Sequence, residues 1–187
     1  MDWNSALKMI KFNVASINSC TETEGPYKRL TIWFQGCNIH CDGCCNPDYQ
    51  PLIAKNILSI EELISIIKDA KKNYEIEGVT YSGGEPTLQQ NLFVLTDKIH
   101  ELGLGVISFT GKQFEDVKSM LGNCDIVLDG HFDKSQPEEK RKLLGSKNQR
   151  IICLTNRYST ELTWFTQQIK TIEVNIGNKA VFNGDKI

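Results

Sequence analysis

Residues 24–47 read EGPYKRLTIWFQGCNIHCDGCCNP, and the order of features in that stretch sets the expected fold. LTIWFQ (30–35) is rich in β-branched and aromatic residues, the composition of a strand. It runs without a spacer into a loop that holds Cys37, Cys41, Cys44 and Cys45, four of the chain's seven cysteines. In parallel α/β sheets the active residues gather where strands end at their C-terminal tips. A strand that stops on such a loop therefore points to that class.

The flanking sequence repeats the theme. Residues 59–73 carry Ser59 and Glu62 as a capping box, followed by Ile60, Leu63, Ile64, Ile67 and Ala70 on one helical face. GVTYS (78–82) reads as a strand ending in GGEP. Leu88, Leu92, Leu95, Ile99 and Leu102 then form a stripe that closes at Gly103. Strands follow at 105–110, 125–130 and 150–155, with a short helix at 113–121 and a polar helix near 137–144 between them. TELTWFTQQIK (160–170) reads as helical, and TIEVNI with KAVF as a closing strand or hairpin. Alternating β and α units imply right-handed crossovers and a parallel sheet. About five or six units fit, fewer than the eight of a closed barrel. The expected architecture is an α/β incomplete (β/α) barrel, built as a single domain over 1–187 with its core at about 10–155. The segment 156–187 has no assigned role.

The chain has 187 residues, 40% hydrophobic and 24% charged, with a net charge of −2. That charge speaks against a nucleic-acid surface, and no run has the apolar length of a membrane span. The N-terminus lacks the pattern of a signal sequence, which places the chain in the cytoplasm. Thiols stay reduced there, so clustered cysteines read as metal ligands or catalytic groups. An odd count also rules out complete disulfide pairing.

Three chemistries compete for C-x3-C-x2-C. Structural zinc takes four tetrahedral ligands, usually as two pairs, and no second C-x-x-C exists. CDGC is formally a redox dithiol but lacks the setting that lowers a thiol's pKa. A [4Fe–4S] cluster normally takes four cysteines, and three would leave one iron open to another ligand. Cys124 and Cys153 sit near expected strands and read as small core residues.

Cys37-x3-Cys41-x2-Cys44 after a first strand resembles the signature of the radical S-adenosylmethionine (radical SAM) superfamily. YSGGEP (81–86) is similar to that superfamily's GGE segment. The resemblance implies that Cys37, Cys41 and Cys44 bind a [4Fe–4S] cluster and that S-adenosylmethionine (SAM) chelates the open iron. It also implies reductive cleavage to a 5′-deoxyadenosyl radical. Gly83 and Gly84 would let the backbone approach SAM, and Glu85 would accept from its amino group. Within the superfamily, Gly43 before the last cysteine, FTGKQFEDV (109–117), DIVLDGHF (125–132) and LLGSKNQRII (143–152) resemble the glycyl-radical-enzyme activating enzymes, above all those of anaerobic ribonucleoside-triphosphate reductase. The partners so implied are a glycyl-radical enzyme as protein substrate and a reductant such as flavodoxin or ferredoxin. A radical SAM enzyme acting on a small molecule, similar to 7-carboxy-7-deazaguanine synthase, and a non-catalytic iron–sulfur carrier are the alternatives.

Further expected ligand-side residues are Gly43, Cys45 through its backbone, Ser82, Thr110 and Asp129, with Asn148 a weaker candidate. Asp129 is expected to face the ligand from its strand end, against a bland role as a cap. Arg150 is read as an ion-pair or partner residue. His40, His100 and His131 are not counted as ligands.

Overall fold

The computed structural model describes residues 9–167, 171–176 and 180–184. Nine strands and three α-helices appear among them: β1 Lys11–Thr21, β2 Arg29–Phe34, β3 Asn56–Ser59, α1 Ile60–Tyr74, β4 Gly78–Gly83, α2 Leu92–Glu101, β5 Gly105–Phe109, α3 Phe114–Leu121, β6 Ile126–Asp129, β7 Arg150–Cys153, β8 Ile172–Ile176 and β9 Ala180–Gly184. Strands β1 to β7 form one open sheet in the order β3-β1-β2-β4-β5-β6-β7, and β8 and β9 form a separate hairpin.

The central strands β2, β4, β5 and β6 are parallel, whereas β1, β3 and β7 join antiparallel. The expected count of five or six βα units is therefore corrected to three crossovers among four parallel strands. A parallel return needs a covering helix, and the stretch expected to supply one at 137–144 is not helical; it carries an isolated bridge between Pro137 and Ser146. Its sequence has no apolar stripe. The Glu138 carboxylate captures the backbone N–H groups of Glu139, Lys140 and Arg141 instead, competing with a helix in the way short acidic side chains do. The chain thus returns as antiparallel β7, whose Cys153 is exposed rather than in the core, while Cys124 is buried.

Helices α1 to α3 cover one face. Leu63 and Ile67 of α1, Leu95 and Ile99 of α2, and Val117 and Leu121 of α3 pack on Leu30, Ile32, Phe34, Val79, Tyr81, Val106 and Val127. Each large side chain contributes about 1.5–3 kcal/mol by leaving water. The α1 capping box forms as expected, Glu62 N–H to Ser59 Oγ at 3.2 Å and Ser59 N–H to Glu62 Oε2 at 2.8 Å. Helix α2 is shorter than its stripe suggests, because Pro86–Leu88 turns as a 3-10 segment first.

Strand alternation places the other side chains on the opposite face, where Ile107, Ile126 and Leu128 meet Leu144, Tyr158 and Phe165. Arg29, with no exposed surface, closes the lower end of this face. Its guanidinium donates to Thr80 Oγ1 at 2.7 Å, Val79 O at 2.9 Å and Tyr158 Oη at 2.9 Å. Tyr158 Oη in turn donates to Glu77 Oε2 at 2.6 Å. Burial pushes the Tyr158 phenol well above its ordinary range, which keeps that proton in place. Of the helix expected at 160–170, a 3-10 turn spans Leu162–Thr166, and 168–170 lie outside the described residues. Lys179 of the expected hairpin lies outside them too.

Candidate functional site

The cysteine loop leaves the end of β2 and is pinned at its base by backbone pairing. Gly36 N–H donates to Tyr49 O at 2.8 Å and Cys37 N–H to Gln50 O at 2.9 Å. The Gly83–Glu85 segment clasps the same base from β4, with Gly84 N–H to Phe34 O and Glu85 N–H to Gly36 O, both at 2.8 Å. This explains the glycine pair. A Cβ on Gly84 would lie 2.1 Å from Gly36 O, and one on Gly83, at φ +106°, would lie 2.4 Å from Phe34 N. Close approach of backbone to backbone requires glycine there; Gly83 lies against the end of β2 and Gly84 against the base of the cysteine loop. Gly84→Ala is accordingly expected to push the loop off the sheet and to lower thermal stability and iron loading together. Calorimetry and iron analysis of the purified variant check this.

Cys37 is buried, Cys41 and Cys44 are half-buried and Cys45 is exposed. Two of the first three sulfurs accept a backbone N–H from their own loop. Cys37 Sγ receives Ile39 N–H at 3.5 Å and Cys44 Sγ receives Asn46 N–H at 3.4 Å. The backbone N–H of Phe132, from the loop after β6, lies on the Cys41 side of the site. Burial pushes the Cys41 thiol up, and that N–H pulls against it. Such donors stabilise thiolate sulfur and tune the electronics of clusters held by thiolates. Three sulfurs on one loop, two of them bonded by a backbone N–H, suit a [4Fe–4S] cluster. Among the described residues no three His, Cys, Asp or Glu side chains are gathered tightly enough for a single metal ion.

Glu85 has 1% of its surface exposed, and its carboxylate is engaged by the chain itself. Oε1 accepts from Thr87 N–H (3.1 Å), Thr87 Oγ1 (2.6 Å) and Thr110 Oγ1 (2.8 Å), and Oε2 accepts from Gly111 N–H at 2.9 Å. It ties the GGE turn to the end of β5. Thr110, expected on the ligand side, is thereby a holder of Glu85. A carboxylate offers about four acceptor sites, so Oε2 keeps one in hand. Ser82 stands half-buried on the same face of the sheet as Thr80.

Asp129 was expected to face the ligand, and alternation sends it the other way. It shares its face with Val127, towards the helices. There Oδ2 accepts Phe114 N–H at 2.7 Å, capping α3, and Oδ1 accepts Arg150 Nε at 2.9 Å. Arg150 Nη2 pairs with Asp129 Oδ2 and, at 2.8 Å, with Glu115 Oε2. Asn148 donates to His131 O at 2.7 Å, a structural contact. Gly43 sits at φ +78°, a backbone that favours glycine, with the Phe132 ring beside it. Phe132 and Asn46 escaped the sequence reading. Asn46 donates through Nδ2 to Gly83 O at 3.4 Å, and its place after two cysteines was the available signal. A cleft of about 720 Å³ lined by Cys20, Glu22, Tyr27, Lys142, Trp164 and Ile172 lies at the opposite end of the sheet.

Comparison with known proteins agrees with this geometry. The chain is 28% identical over 146 residues to the anaerobic ribonucleoside-triphosphate reductase-activating protein of Enterobacteria phage T4, covering 74% of this chain and 92% of that one. It is 32% identical over 124 residues to the pyruvate formate-lyase-activating enzyme of Clostridium pasteurianum, covering 64% and 52%. The chain thus spans nearly all of the first and about half of the second. A crystal structure of QueE from Escherichia coli aligns over 59% of this chain and 57% of that one, at 20% identity and a TM-score of 0.49. The model of the 4Fe-4S single cluster domain family matches residues 23–152, from the strand before the cysteine loop to β7. The chain belongs to that family and is a radical SAM protein, with a [4Fe–4S] cluster and SAM as its cofactors.

Proposed function

We propose that Cys37, Cys41 and Cys44 hold the cluster, that one iron is left for SAM, and that the protein generates a glycyl radical on a partner enzyme. The observation that carries this reading is the cysteine loop pinned at its base to the GGE turn, with a backbone N–H on the Cys37 and Cys44 sulfurs, while adjacent Cys45 is exposed. When bound, the cluster supplies the electron that splits SAM into methionine and a 5′-deoxyadenosyl radical.

The chain's own part is positioning and exclusion of water. Gly83 and Gly84 fix the cysteine loop against β4. Glu85, through the remaining site on Oε2, accepts from the amino group of SAM, with Thr110 and Gly111 holding it in place. Gly43, the Cys45 backbone and Ser82 border the ligand. Asp129 acts at one remove, by fixing α3 and the chain that follows β6. Hydrogen-atom transfer moves proton and electron together, so no general base is assigned.

The likeness to activating proteins of two glycyl-radical enzymes supports a glycine in a partner protein as the hydrogen donor. The open sheet leaves a side by which a peptide can enter. The single-domain reading over 1–187, a cytoplasmic setting and a flavodoxin- or ferredoxin-type reductant belong to the same proposal. Among the described residues no helix is long and apolar enough to cross a membrane.

The test is anaerobic incubation of the reconstituted protein with reductant, SAM and an anaerobic ribonucleoside-triphosphate reductase. The expected result is a glycyl-radical doublet in the electron paramagnetic resonance (EPR) spectrum, dependent on SAM. SAM cleavage without a protein radical on any glycyl-radical enzyme offered would favour a small-molecule substrate instead.

A further inference from the structure

Cys37 and Cys44 take their N–H donors from residues two positions further along their own loop. The backbone N–H on the Cys41 side comes from Phe132, which belongs to a different element. That residue also brings a ring. The Phe132 Cε1 atom lies 3.5 Å from the place where a Cβ on Gly43 would stand, and two other ring atoms lie 2.7 Å and 2.8 Å from the corresponding place on Gly145. The ring is therefore seated between two glycines, one of them inside the cysteine motif, and a side chain on Gly145 would compete with it for space.

The segment carrying Phe132 is held in shape over its whole length. Gln149 Oε1 accepts Gly145 N–H at 2.8 Å and Ser146 N–H at 3.1 Å, while its Nε2 donates to Gly130 O at 3.0 Å. Ser146 Oγ accepts Asp133 N–H at 3.0 Å. Arg141 donates to Gln149 O and Lys147 O, both at 2.9 Å. Lys134 pairs with Asp42 of the cysteine loop, a second tie between the two elements.

We propose that Phe132 is a positioning residue for the cluster, its ring covering the cysteine loop against solvent. The inference rests on the assignment of Cys37, Cys41 and Cys44 as ligands. Hydrogen bonds to cluster sulfurs and solvent exposure both set cluster electronics, and an apolar shell controls solvent access. The 130–149 segment, which supplies no parallel strand to the sheet, thereby gains a role as a strap across the loop.

The test uses the full chain, reconstituted anaerobically with iron and sulfide, as wild type, Phe132→Ala, Phe132→Tyr and Gly145→Ala. The measurements are iron content, the rate at which cluster absorbance bleaches in air, and the EPR g-values after dithionite reduction. Phe132→Ala is expected to load iron as the wild type does, to bleach several-fold faster and to show altered g-values, with Phe132→Tyr restoring both. A loaded Phe132→Ala protein with wild-type bleaching and g-values overturns the proposal. Should Phe132→Ala fail to fold, Gly145→Ala decides: faster bleaching at full iron content supports the strap, and wild-type bleaching overturns it. Failure of the wild type itself to load iron strikes the cysteine assignment and removes the ground for this proposal, a result distinct from the others.

Discussion

Replacing Cys37, Cys41 or Cys44 by alanine, one at a time, is expected to abolish both the site-differentiated cluster and SAM cleavage. Each change removes one thiolate from a set of three that already leaves one iron without a protein ligand. Cys37 is the most severe case, since it is buried at the pinned base of the loop. Cys45→Ala is expected to retain iron, sulfide and cleavage at close to wild-type levels. Two thiols on adjacent residues diverge in most backbones, and here Cys44 is half-buried while Cys45 is exposed. Iron and sulfide analysis with chromatographic detection of 5′-deoxyadenosine reads all four variants. Loss of the cluster in Cys45→Ala would mean that the ligand set is misassigned.

The second large effect is on stability and lies at the far end of the sheet. Arg29→Ala is expected to cost about 3–5 kcal/mol, the usual loss when one partner of a buried charged network is removed. The change takes a donor from Thr80 Oγ1, Val79 O and Tyr158 Oη in a buried site, with Thr80 keeping only its bond to Glu24 O at 2.8 Å. Glu77 keeps its bond from Tyr158 and its pairing with Arg157 at 3.1 Å, so part of the network survives. For a domain of this size the loss corresponds to a fall in melting temperature of roughly 10 °C. Tyr158→Phe, which removes only the bridging hydroxyl, is expected to cost about 1–2 kcal/mol. Urea denaturation of the apo-protein measures both. A midpoint unchanged in Arg29→Ala would show that the network adds nothing to stability.

Strands β2, β4, β5 and β6 were legible because each is a short apolar run bounded by turn residues. Helix α1 was legible because Ser59 and Glu62 announce its start. Strand β1 was not. KFNVASINSCT mixes Asn13, Ser16 and Asn18 into a half-exposed strand, and nothing local marks it as the neighbour of β2. Strand β3 has four residues, too few to show a period. The polar stretch at 137–144 has helix-forming residues but no face to bury, so side-chain capture of its backbone prevailed.

At the site, spacing was enough to pick out the cysteine loop and the GGE turn. It could not reveal what they touch. Two of the four donors to Glu85 come from Thr110 and Gly111, beyond α2 and β5. Phe132, whose ring lies beside Gly43 of the cysteine loop, comes from beyond β6. The direction of Asp129 depends on which residue of β6 pairs with β5, a matter of register. With Phe109 opposite Leu128, Asp129 turns towards α3.

The central claim is that three thiolates of one loop leave an iron free to bind SAM. It is tested most directly by EPR of the anaerobically reconstituted, dithionite-reduced protein before and after SAM is added. The predicted result is a [4Fe–4S]⁺ signal whose g-values change on addition, followed by release of methionine and 5′-deoxyadenosine. A protein that holds zinc in place of iron, or a cluster signal that SAM leaves unchanged, would contradict it.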